Sequence, residues 1–328
     1  MPSFADFADR FLQEHAEAKL KPRTAAYYKW ILDGFLKPAV GSRKLDHVTR
    51  ADLLKVHQKV GAEHPTSANR AMQIVGSVYA FAVECELVPE GTNPAQGIKA
   101  YREQRKERFL TGEELARLGA ALREAETEGI VWEPNPEGKT KHAPKAENRR
   151  VVFGKHAIAA IRLLVFTGAR LREILGARWS WYDAGRGCIF LPDSKTGKKT
   201  IILNAAAQEV IEGLDRVGDF IIASEDPAKP RSDLNRPWAA VRRRAGLEDV
   251  RIHDLRHSFA SVGVGASWGL PIVGKLLGHA SVQSTARYSH LEMDPLRRAS
   301  DRIGNQLASA LAGNPTTGEV IELKRKTQ

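Results

Sequence analysis

Five polar residues in the second half of the chain have the types needed to break and rejoin a DNA phosphodiester. They lie in four short motifs: Arg170 in TGARLREIL, Lys195 in DSKTGKK, His253 and Arg256 in HDLRHSFAS, and Tyr288 in LLGHASVQSTARYSH. A phosphodiester repels nucleophiles because it is anionic, so an enzyme without a metal ion needs fixed cations that neutralise the pentavalent transition state. The order of these motifs along one basic chain predicts such chemistry.

The two arginines are the predicted phosphate clamp, because a guanidinium stays charged and binds two phosphate oxygens at once. Arg170 follows a long apolar segment and a Thr-Gly turn, so its neighbours are expected to be buried. His253 precedes Arg256 by three positions, which on a helix puts both on one face. His279 is a further candidate to orient the phosphate.

Tyr288 is the predicted nucleophile. Attack of its phenol on phosphorus gives a covalent phosphotyrosine that stores the bond energy, so strands can be rejoined without ATP. The segment around Tyr288 lacks strong apolar periodicity, and we expect core burial to explain it less well than it explains Tyr79. Tyr182 is the alternative tyrosine, but Trp179 and Trp181 beside it favour packing.

Lys195 is the predicted general acid, which protonates the leaving 5′ oxygen as it departs. The apolar runs GCIFLPD and TIILN flank DSKTGKK, whose Ser, Thr and Gly favour a turn, so Lys195 is placed near the tip of a hairpin. Lys198 and Lys199 compete by position. They rank lower because Lys195 directly precedes the Thr-Gly turn.

The motif HDLRH also allows a zinc site, since His253 and His257 are four residues apart as in zinc-binding helices. Asp254 is shorter than the glutamate base of that motif, and His279 and His290 are the nearby candidates for a third ligand. We therefore expect no metal, and we expect His257 to be a packing or hydrogen-bonded helical residue.

The composition favours a polyanionic partner. The chain has 328 residues, more than one domain usually contains, and a net charge of +11. Cys85 and Cys188 have no ligand spacing around them, which indicates a reducing compartment and a cytosolic protein. The acidic N-terminus and the absence of a long apolar run predict neither export nor a membrane span.

Residues 1–100 predict a helical domain. The first expected helix carries Phe4, Phe7 and Phe11, and the second runs from Thr24 to before Pro38. The third starts at the N-cap Thr49 and buries Leu53, Leu54 and Val56. The fourth spans 67–86. A linker is expected at 101–110, and Thr111 with Glu114 forms a predicted capping box that opens the next helix. The second domain is expected at 111–312, with a polar insert at 129–150 and a flexible tail at 313–328. The fold class is mainly α with a small antiparallel β region.

The four motifs resemble, in order and separation, those of the tyrosine recombinases, and more closely the integrases of phages and integrative elements. The resemblance covers residues 155–292 well. It implies catalytic roles for Arg170, Lys195, His253, Arg256, His279 and Tyr288 in an α+β catalytic domain, and a supporting carboxylate role for Glu173. It also implies a 3′-phosphotyrosine, a free 5′ hydroxyl and no cofactor.

The first hundred residues resemble the helical core-binding domain of that family less specifically. The analogy implies that Lys21, Arg23 and Arg70 touch double-stranded DNA, and that the helix after Tyr288 docks on a neighbouring subunit. The expected assembly is a homotetramer on two DNA sites, with accessory DNA-bending proteins as further partners. Many such integrases carry an additional arm-binding domain for which this sequence has no room, so its sites are simple or the chain is a fragment.

The expected function is site-specific DNA recombination. A type IB topoisomerase uses the same chemistry on one duplex, and relaxation of plasmids without sequence preference would favour it. A DNA-binding regulator that has lost catalysis is the rival from another class, but such a relative usually lacks a member of the residue set.

Overall fold

The computed structural model describes residues 1–103, 107–132, 145, 149–194, 197–266, 268–279, 281–288, 300 and 303–305. The chain divides into two compact units, Met1–Lys106 and Glu107–Gln328. Helices dominate both, and the described sheets are small, antiparallel and confined to the second unit. The predicted fold class is confirmed.

Aromatic residues contribute to the mainly aliphatic core of the first unit. Phe4, Phe7 and Phe11 are buried as predicted, and Phe7 and Phe11 pack against Phe81. The helical segments are Phe4–Phe11, Leu12–Ala16 (π), Glu17–Lys19, Pro22–Ile31, Leu32–Leu36 (π), Lys37–Val40, Leu45–His47 (3₁₀), Arg50–Gly61 and Pro65–Glu84.

Pro38 does not end the second helix, and that prediction is wrong. The π-helical turn Leu32–Leu36 widens the helix, and the Lys37 N–H donates to Leu32 O, five residues back. Pro38 then stands in the first turn of Lys37–Val40, where a missing N–H costs little. A proline usually ends a helix, but here the change in hydrogen-bond register lets the helical segment continue through Pro38.

Thr49 caps the third helix as predicted. Its hydroxyl accepts a bond from the Asp52 N–H, and the Asp52 carboxylate accepts one from the Thr49 N–H, which completes a capping box. Leu53 and Val56 are buried, but Leu54 is 41% exposed, so its predicted burial is wrong. Leu54 follows Leu53 by about 100° around the helix and faces away from the core.

The second unit packs around the apolar helix Lys155–Thr167, which is buried over most of its surface. Helix Gly112–Glu126 opens this unit with the predicted capping box between Thr111 and Glu114. The remaining described helices are Leu171–Leu175, Trp179–Trp181 (3₁₀), Ala205–Glu212, Asn235–Arg244, Asp254–Gly265, Leu270–Leu277 and Val282–Ala286.

The strands of the second unit lie in two sheets. Ile130–Val131 pairs antiparallel with Arg150–Val151, so the ends of the predicted insert meet, and most of its interior lies outside the described residues. The other sheet has Tyr182–Asp183, Cys188–Leu191 and Lys199–Ile202 in that order. The predicted hairpin is therefore confirmed, and Leu191 pairs with Lys199 next to its turn.

None of the helices in the described part of the chain combines the length and apolar character that crossing a bilayer takes.

Candidate active site

Arg170 is positioned by the turn that closes the central helix Lys155–Thr167. Gly168 adopts φ +61°, and a Cβ there would meet the Phe259 ring at 2.6 Å, so the Thr-Gly turn needs glycine. The chain then restarts as the short helix Leu171–Leu175, with Arg170 as its N-cap. The Arg170 side chain is 23% exposed, and its neighbours Gly168 and Ala169 are buried, as predicted.

Glu173 links Arg170 to a buried lysine. One carboxylate oxygen accepts from Arg170 Nη1 at 2.8 Å, and the other accepts from Lys199 Nζ at 2.7 Å and from the Arg170 N–H at 2.9 Å. Burial raises the pKa of Glu173, but these donors outweigh it, and the pKa is lowered. Glu173 is therefore an ionised brace between two cations.

Lys199 is almost fully buried, with its side chain 5% exposed. Burial lowers its pKa, the Glu173 carboxylate opposes that shift, and the nearby Arg256 and Arg170 charges add to it, so the net pKa is lowered. Gly278, at φ +70°, lies against the aliphatic stem of Lys199 with no room for a Cβ. Lys199 is thus a stronger acid than an ordinary lysine and is fixed in place.

Arg256 is buried on helix Asp254–Gly265, with 3% of its surface exposed. Its Nη1 donates to Gly168 O at 2.7 Å, which ties this helix to the turn before Arg170. Its Nη2 is buried and has no hydrogen-bond partner among the described residues. Burial and the Arg170 charge lower the pKa of Arg256 to about 10, so it stays charged at neutral pH with an unsatisfied donor.

His253 occupies the N-cap position of the same helix without a side-chain capping bond, and it keeps an exposed face. Desolvation of the rest of the ring lowers its pKa, and so does the positive charge of Arg256. Asp254, behind it, is fully buried and accepts three bonds from Arg251, through the backbone N–H, Nε and Nη2. That anchor fixes the start of the helix from which His253 and Arg256 project.

Tyr288 is buried in the same unit, beside helix Asp254–Gly265. Its hydroxyl lies 2.7 Å from His257 Nδ1. Desolvation raises the pKa of Tyr288, while Arg256 and Arg287 oppose that shift. Desolvation and the neighbouring His253 lower the pKa of His257 to about 4, so at neutral pH the ring is uncharged. Nδ1 accepts from the tyrosine hydroxyl in the tautomer that carries the ring proton on Nε2.

The expectation that core burial explains Tyr288 less well than Tyr79 is wrong. Both tyrosines are 1% exposed. Tyr288 belongs to a small core cluster with Ala260, Val264, Val273 and Leu277. These apolar residues come from two preceding helices, so periodicity within the short segment around Tyr288 carried no sign of them.

His279 follows the left-handed Gly278 that ends helix Leu270–Leu277. Its Nδ1 lies 2.8 Å from Thr285 Oγ1, on the helix that leads to Tyr288. Desolvation, followed by the Arg256 and Arg170 charges, lowers the pKa of His279 to about 4. His279 therefore lies within electrostatic range of both arginines, with one ring nitrogen held by Thr285.

The structure brings the predicted residues Arg170, Glu173, His253, Arg256, His279 and Tyr288 into one interacting group in one chain. Lys195 and His290 lie outside the described residues. Lys21, Arg23 and Arg70 are exposed in the first unit, where Arg70 donates to Gln73 at 2.6 Å. Tyr182, the alternative nucleophile, packs against the core of the second unit.

Two residues, Lys199 and His257, make contacts in this group that the sequence did not predict. Lys199 ranked below Lys195 by position, yet it is buried against Glu173, because strand alternation turns it inward while Lys198 is exposed. His257 was expected to be hydrogen-bonded, but its partner, Tyr288, was not foreseen. Among the described residues, no cluster of His, Cys, Asp and Glu could hold a metal, and His290 is not among them.

This arrangement suits a reaction at an anionic phosphate. The site offers guanidinium groups, a buried ammonium and a phenol that is bonded to a neutral imidazole. Arg256 Nη2 has no partner among the residues described, and a buried charged donor of this kind can bind an anionic oxygen.

Comparison with known families agrees with this chemistry. The phage integrase family matches residues 145–294, which contain the whole group, and the phage integrase central domain matches residues 4–100. The chain belongs to the tyrosine recombinase family, of the phage integrase type.

Curated relatives carry integrase and recombinase names. The chain is 27% identical over 208 residues to the integrase of Salmonella phage P22, covering 54% of this chain and 52% of that protein. It is 29% identical over 153 residues to tyrosine recombinase XerC of Pseudomonas aeruginosa, covering 44% and 50%. It thus spans about half the length of these two relatives. With XerC of Xylella fastidiosa it is 24% identical over 305 residues, covering 89% and 94%.

Solved structures share the fold. A dimer of lambda integrase (75–356) bound to a COC′ core site matches with a TM-score of 0.63 at 18% identity, covering 85% of this chain and 96% of that chain. A Tn1549 transposon integrase in complex with a circular intermediate DNA matches with a TM-score of 0.64 at 14% identity, covering 92% and 100%. The predicted fold of a tyrosine-recombinase catalytic domain with a helical companion is confirmed at this level.

Proposed function

We propose that this protein is a site-specific DNA recombinase that cleaves and rejoins DNA through a 3′-phosphotyrosine on Tyr288. The observation that carries the proposal is the buried Arg256, whose Nη2 has no hydrogen-bond partner in the part of the chain that the structure describes. Arg256 belongs to the same group as the Tyr288 hydroxyl. In the proposed complex a backbone phosphate supplies the acceptor for Arg256 Nη2, and the phenol of Tyr288 attacks its phosphorus. Family membership supports the same reaction.

In this proposal the cations work together on the phosphate. Arg170 and Arg256 bind its non-bridging oxygens, and their charge neutralises the transition state in a partly water-excluded site. Glu173 holds Arg170 in position through the backbone and the side chain. His253 and His279 flank the phosphate as neutral donors, since their pKa values are lowered.

The leaving 5′ oxygen needs a proton. Lys195 stays our proposed general acid from its place in the sequence between the strands Cys188–Leu191 and Lys199–Ile202. Lys199 is the second candidate, because its lowered pKa eases proton release. The phosphotyrosine then conserves the phosphoester bond energy, so the proposed exchange uses neither ATP nor a cofactor.

The first unit is the proposed core-type DNA-binding domain. Lys21, Arg23 and Arg70 are exposed there and are suited to phosphate contacts, which supply most of the sequence-independent affinity for DNA. A solved lambda integrase tetramer is bound to a Holliday junction, and we propose a corresponding tetramer on two DNA sites for this chain. Accessory DNA-bending proteins and a cytosolic location stay predictions from the sequence.

A suicide substrate tests the proposal. Duplex DNA taken from the boundary of the element that carries the gene is nicked next to the cleavage position, so that the short leaving strand diffuses away and the covalent complex accumulates. Wild-type protein is expected to form the complex in EDTA, and Tyr288→Phe is expected to form none. Tyr182→Phe is the control and should retain the activity.

The outcome also separates the alternatives. Relaxation of any supercoiled plasmid without sequence preference would favour a type IB topoisomerase. Tight and specific DNA binding with no covalent complex from wild-type protein would favour a non-catalytic regulator and contradict the proposal. Dependence of cleavage on an added divalent metal would contradict the cationic mechanism.

A further inference from the structure

His257 contacts two members of the group, His253 and Tyr288, although neither the sequence motifs nor the proposed reaction above gives it a role. Its Nδ1 is 2.7 Å from the Tyr288 hydroxyl, and the two side chains are 3% and 1% exposed. A donor and an acceptor at that distance in a dry site form a strong and well-defined hydrogen bond. The nucleophile of the proposed reaction therefore has a fixed partner before any DNA binds.

The geometry points to His257 as the group that accepts the Tyr288 proton during cleavage and returns it during rejoining, a role that rests on the proposed recombinase function. The Oη–H bond breaks and the proton goes to Nδ1 while the Oη–P bond forms. The P–O5′ bond breaks, and its electron pair leaves on the 5′ oxygen, which takes a proton from the general acid. On rejoining, the 5′ hydroxyl attacks phosphorus and returns its proton to the conjugate base of the general acid. The P–Oη bond breaks, and the departing phenolate recovers its proton from Nδ1.

The groups that surround the His257–Tyr288 pair affect its charge and orientation. The charged and titratable groups around His257 are His253, Arg287, Asp254 and Arg251. Those around Tyr288 are Arg256, Arg287 and Glu107. The His253 ring packs edge-on against His257 with centroids 5.1 Å apart, which fixes the plane of the acceptor ring.

Proton transfer is unfavourable before DNA binds and becomes easier afterwards. The pKa of Tyr288 is raised by burial, and that of His257 is lowered to about 4, so the proton stays on the phenol at rest. A bound phosphate adds negative charge, which stabilises an imidazolium nearby. The phenolic proton becomes far more acidic as the Oη–P bond forms, so the transfer accompanies attack.

Substitution of His257 separates positioning from proton transfer. His257→Asn places an amide oxygen close to the position of Nδ1, so it can hold the hydroxyl but cannot take its proton. His257→Ala removes both functions. His156→Asn is the matched control, because His156 uses Nδ1 with backbone groups of Ile221 and Ala223, away from the site but in the same unit.

The experiment measures single-turnover formation of the covalent complex on the suicide substrate between pH 6 and 9.5. We expect His257→Asn and His257→Ala to be slower than wild type by about 100-fold or more near pH 7. The deficit should shrink at high pH, because solvent base then takes the phenolic proton. DNA binding by mobility shift and the His156→Asn rate should stay at wild-type values.

Several outcomes would overturn the inference: a wild-type rate for His257→Asn, a loss that is constant across pH, or faster cleavage by His257→Ala, which would make the bond inhibitory. If wild-type protein forms no complex, the proposed function itself fails. Where the variants do not fold, ¹⁵N-histidine NMR of wild-type protein and Tyr288→Phe decides. The spectra must contain the signals of one neutral histidine ring with an unprotonated Nδ1, and these signals must shift when the Tyr288 hydroxyl is removed. An Nδ1–H tautomer at His257 would contradict the role.

Discussion

Two tyrosines are equally buried in this protein, one in each unit, and they differ in what their hydroxyls meet. Tyr79 donates to the backbone carbonyl of Leu45 at 2.7 Å, and Tyr288 is 2.7 Å from His257 Nδ1. Burial raises the pKa of both, but positive charges on Arg256 and Arg287 oppose the shift at Tyr288 alone. A carbonyl cannot take up a proton, whereas an imidazole can. The partner of a buried tyrosine therefore says more about its role than its burial does.

The largest difference is expected from removing each hydroxyl. Tyr288→Phe should abolish the covalent complex, and it should also lower the free energy of unfolding by about 1–3 kcal/mol, because buried His257 Nδ1 loses its hydrogen-bond partner. Tyr79→Phe should keep the activity and lower the free energy of unfolding by about 1–3 kcal/mol, because Leu45 O is left without its donor. Suicide-substrate assays measure the covalent complex, and urea unfolding measures the stability of both variants. An active Tyr288→Phe would contradict the functional difference between the two tyrosines.

Substitution of Arg256 tests whether the cations that surround Tyr288, and not Tyr79, take part in cleavage. Arg256→Lys should reduce cleavage by about 100-fold or more, because lysine cannot bind both Gly168 O and a phosphate oxygen in the guanidinium geometry. Arg172→Lys is the control, since Arg172 is exposed and donates to the backbone oxygen of Ser232. Equal rates for the two variants would show that Arg256 is only structural.

Adjacent lysines provide a further matched pair. Lys199→Met removes the partner of buried Glu173 and should destabilise the protein by about 3 kcal/mol, with slower cleavage because Arg170 loses its brace. Lys198→Met changes an exposed residue and should shift stability by less than about 0.5 kcal/mol. Thermal unfolding compares them, and equal shifts would contradict the buried ion pair.

The smallest effect concerns pH. His257 and His279 have folded pKa values of about 4 against an ordinary value of 6.5, so the unfolded chain binds more protons than the folded one between those values. Stability is complete above pH 6.5 and falls as pH drops towards 4, by on the order of 1–3 kcal/mol for buried His257. His257→Asn should flatten this part of the curve. If the slope of the free energy of unfolding against pH is unaffected by the substitution, a group other than His257 takes up the proton.

Local signals in the sequence predicted much of the fold. The N-cap at Thr49 and the capping box of Thr111 with Glu114 formed as predicted, and the Ser-Thr-Gly turn chemistry predicted the hairpin of Cys188–Leu191 and Lys199–Ile202. Each depends on residues that are close in the chain. The wrong expectation at Pro38 arose because a π-helical turn changes the hydrogen-bond register without a reliable sequence signal.

The motifs also predicted the composition of the candidate site, but not its contacts. Glu173 and Lys199 are 26 positions apart, and His257 and Tyr288 are 31 apart, so their pairing depends on how helices and strands pack. The burial of Tyr288 likewise arises from Ala260, Val273 and Leu277 on other helices. Spacing can indicate which groups a reaction needs, while the partner of each group is a tertiary property.

The central claim is that the Tyr288 hydroxyl attacks a DNA phosphate, and its direct test is to locate the covalent bond. The trapped complex can be digested with nuclease and trypsin, and the tryptic peptide 288–297, which begins at Tyr288, examined by mass spectrometry. We predict a nucleotide attached through its 3′ phosphate to Tyr288. An adduct on Tyr182, or on any other residue, would contradict the account.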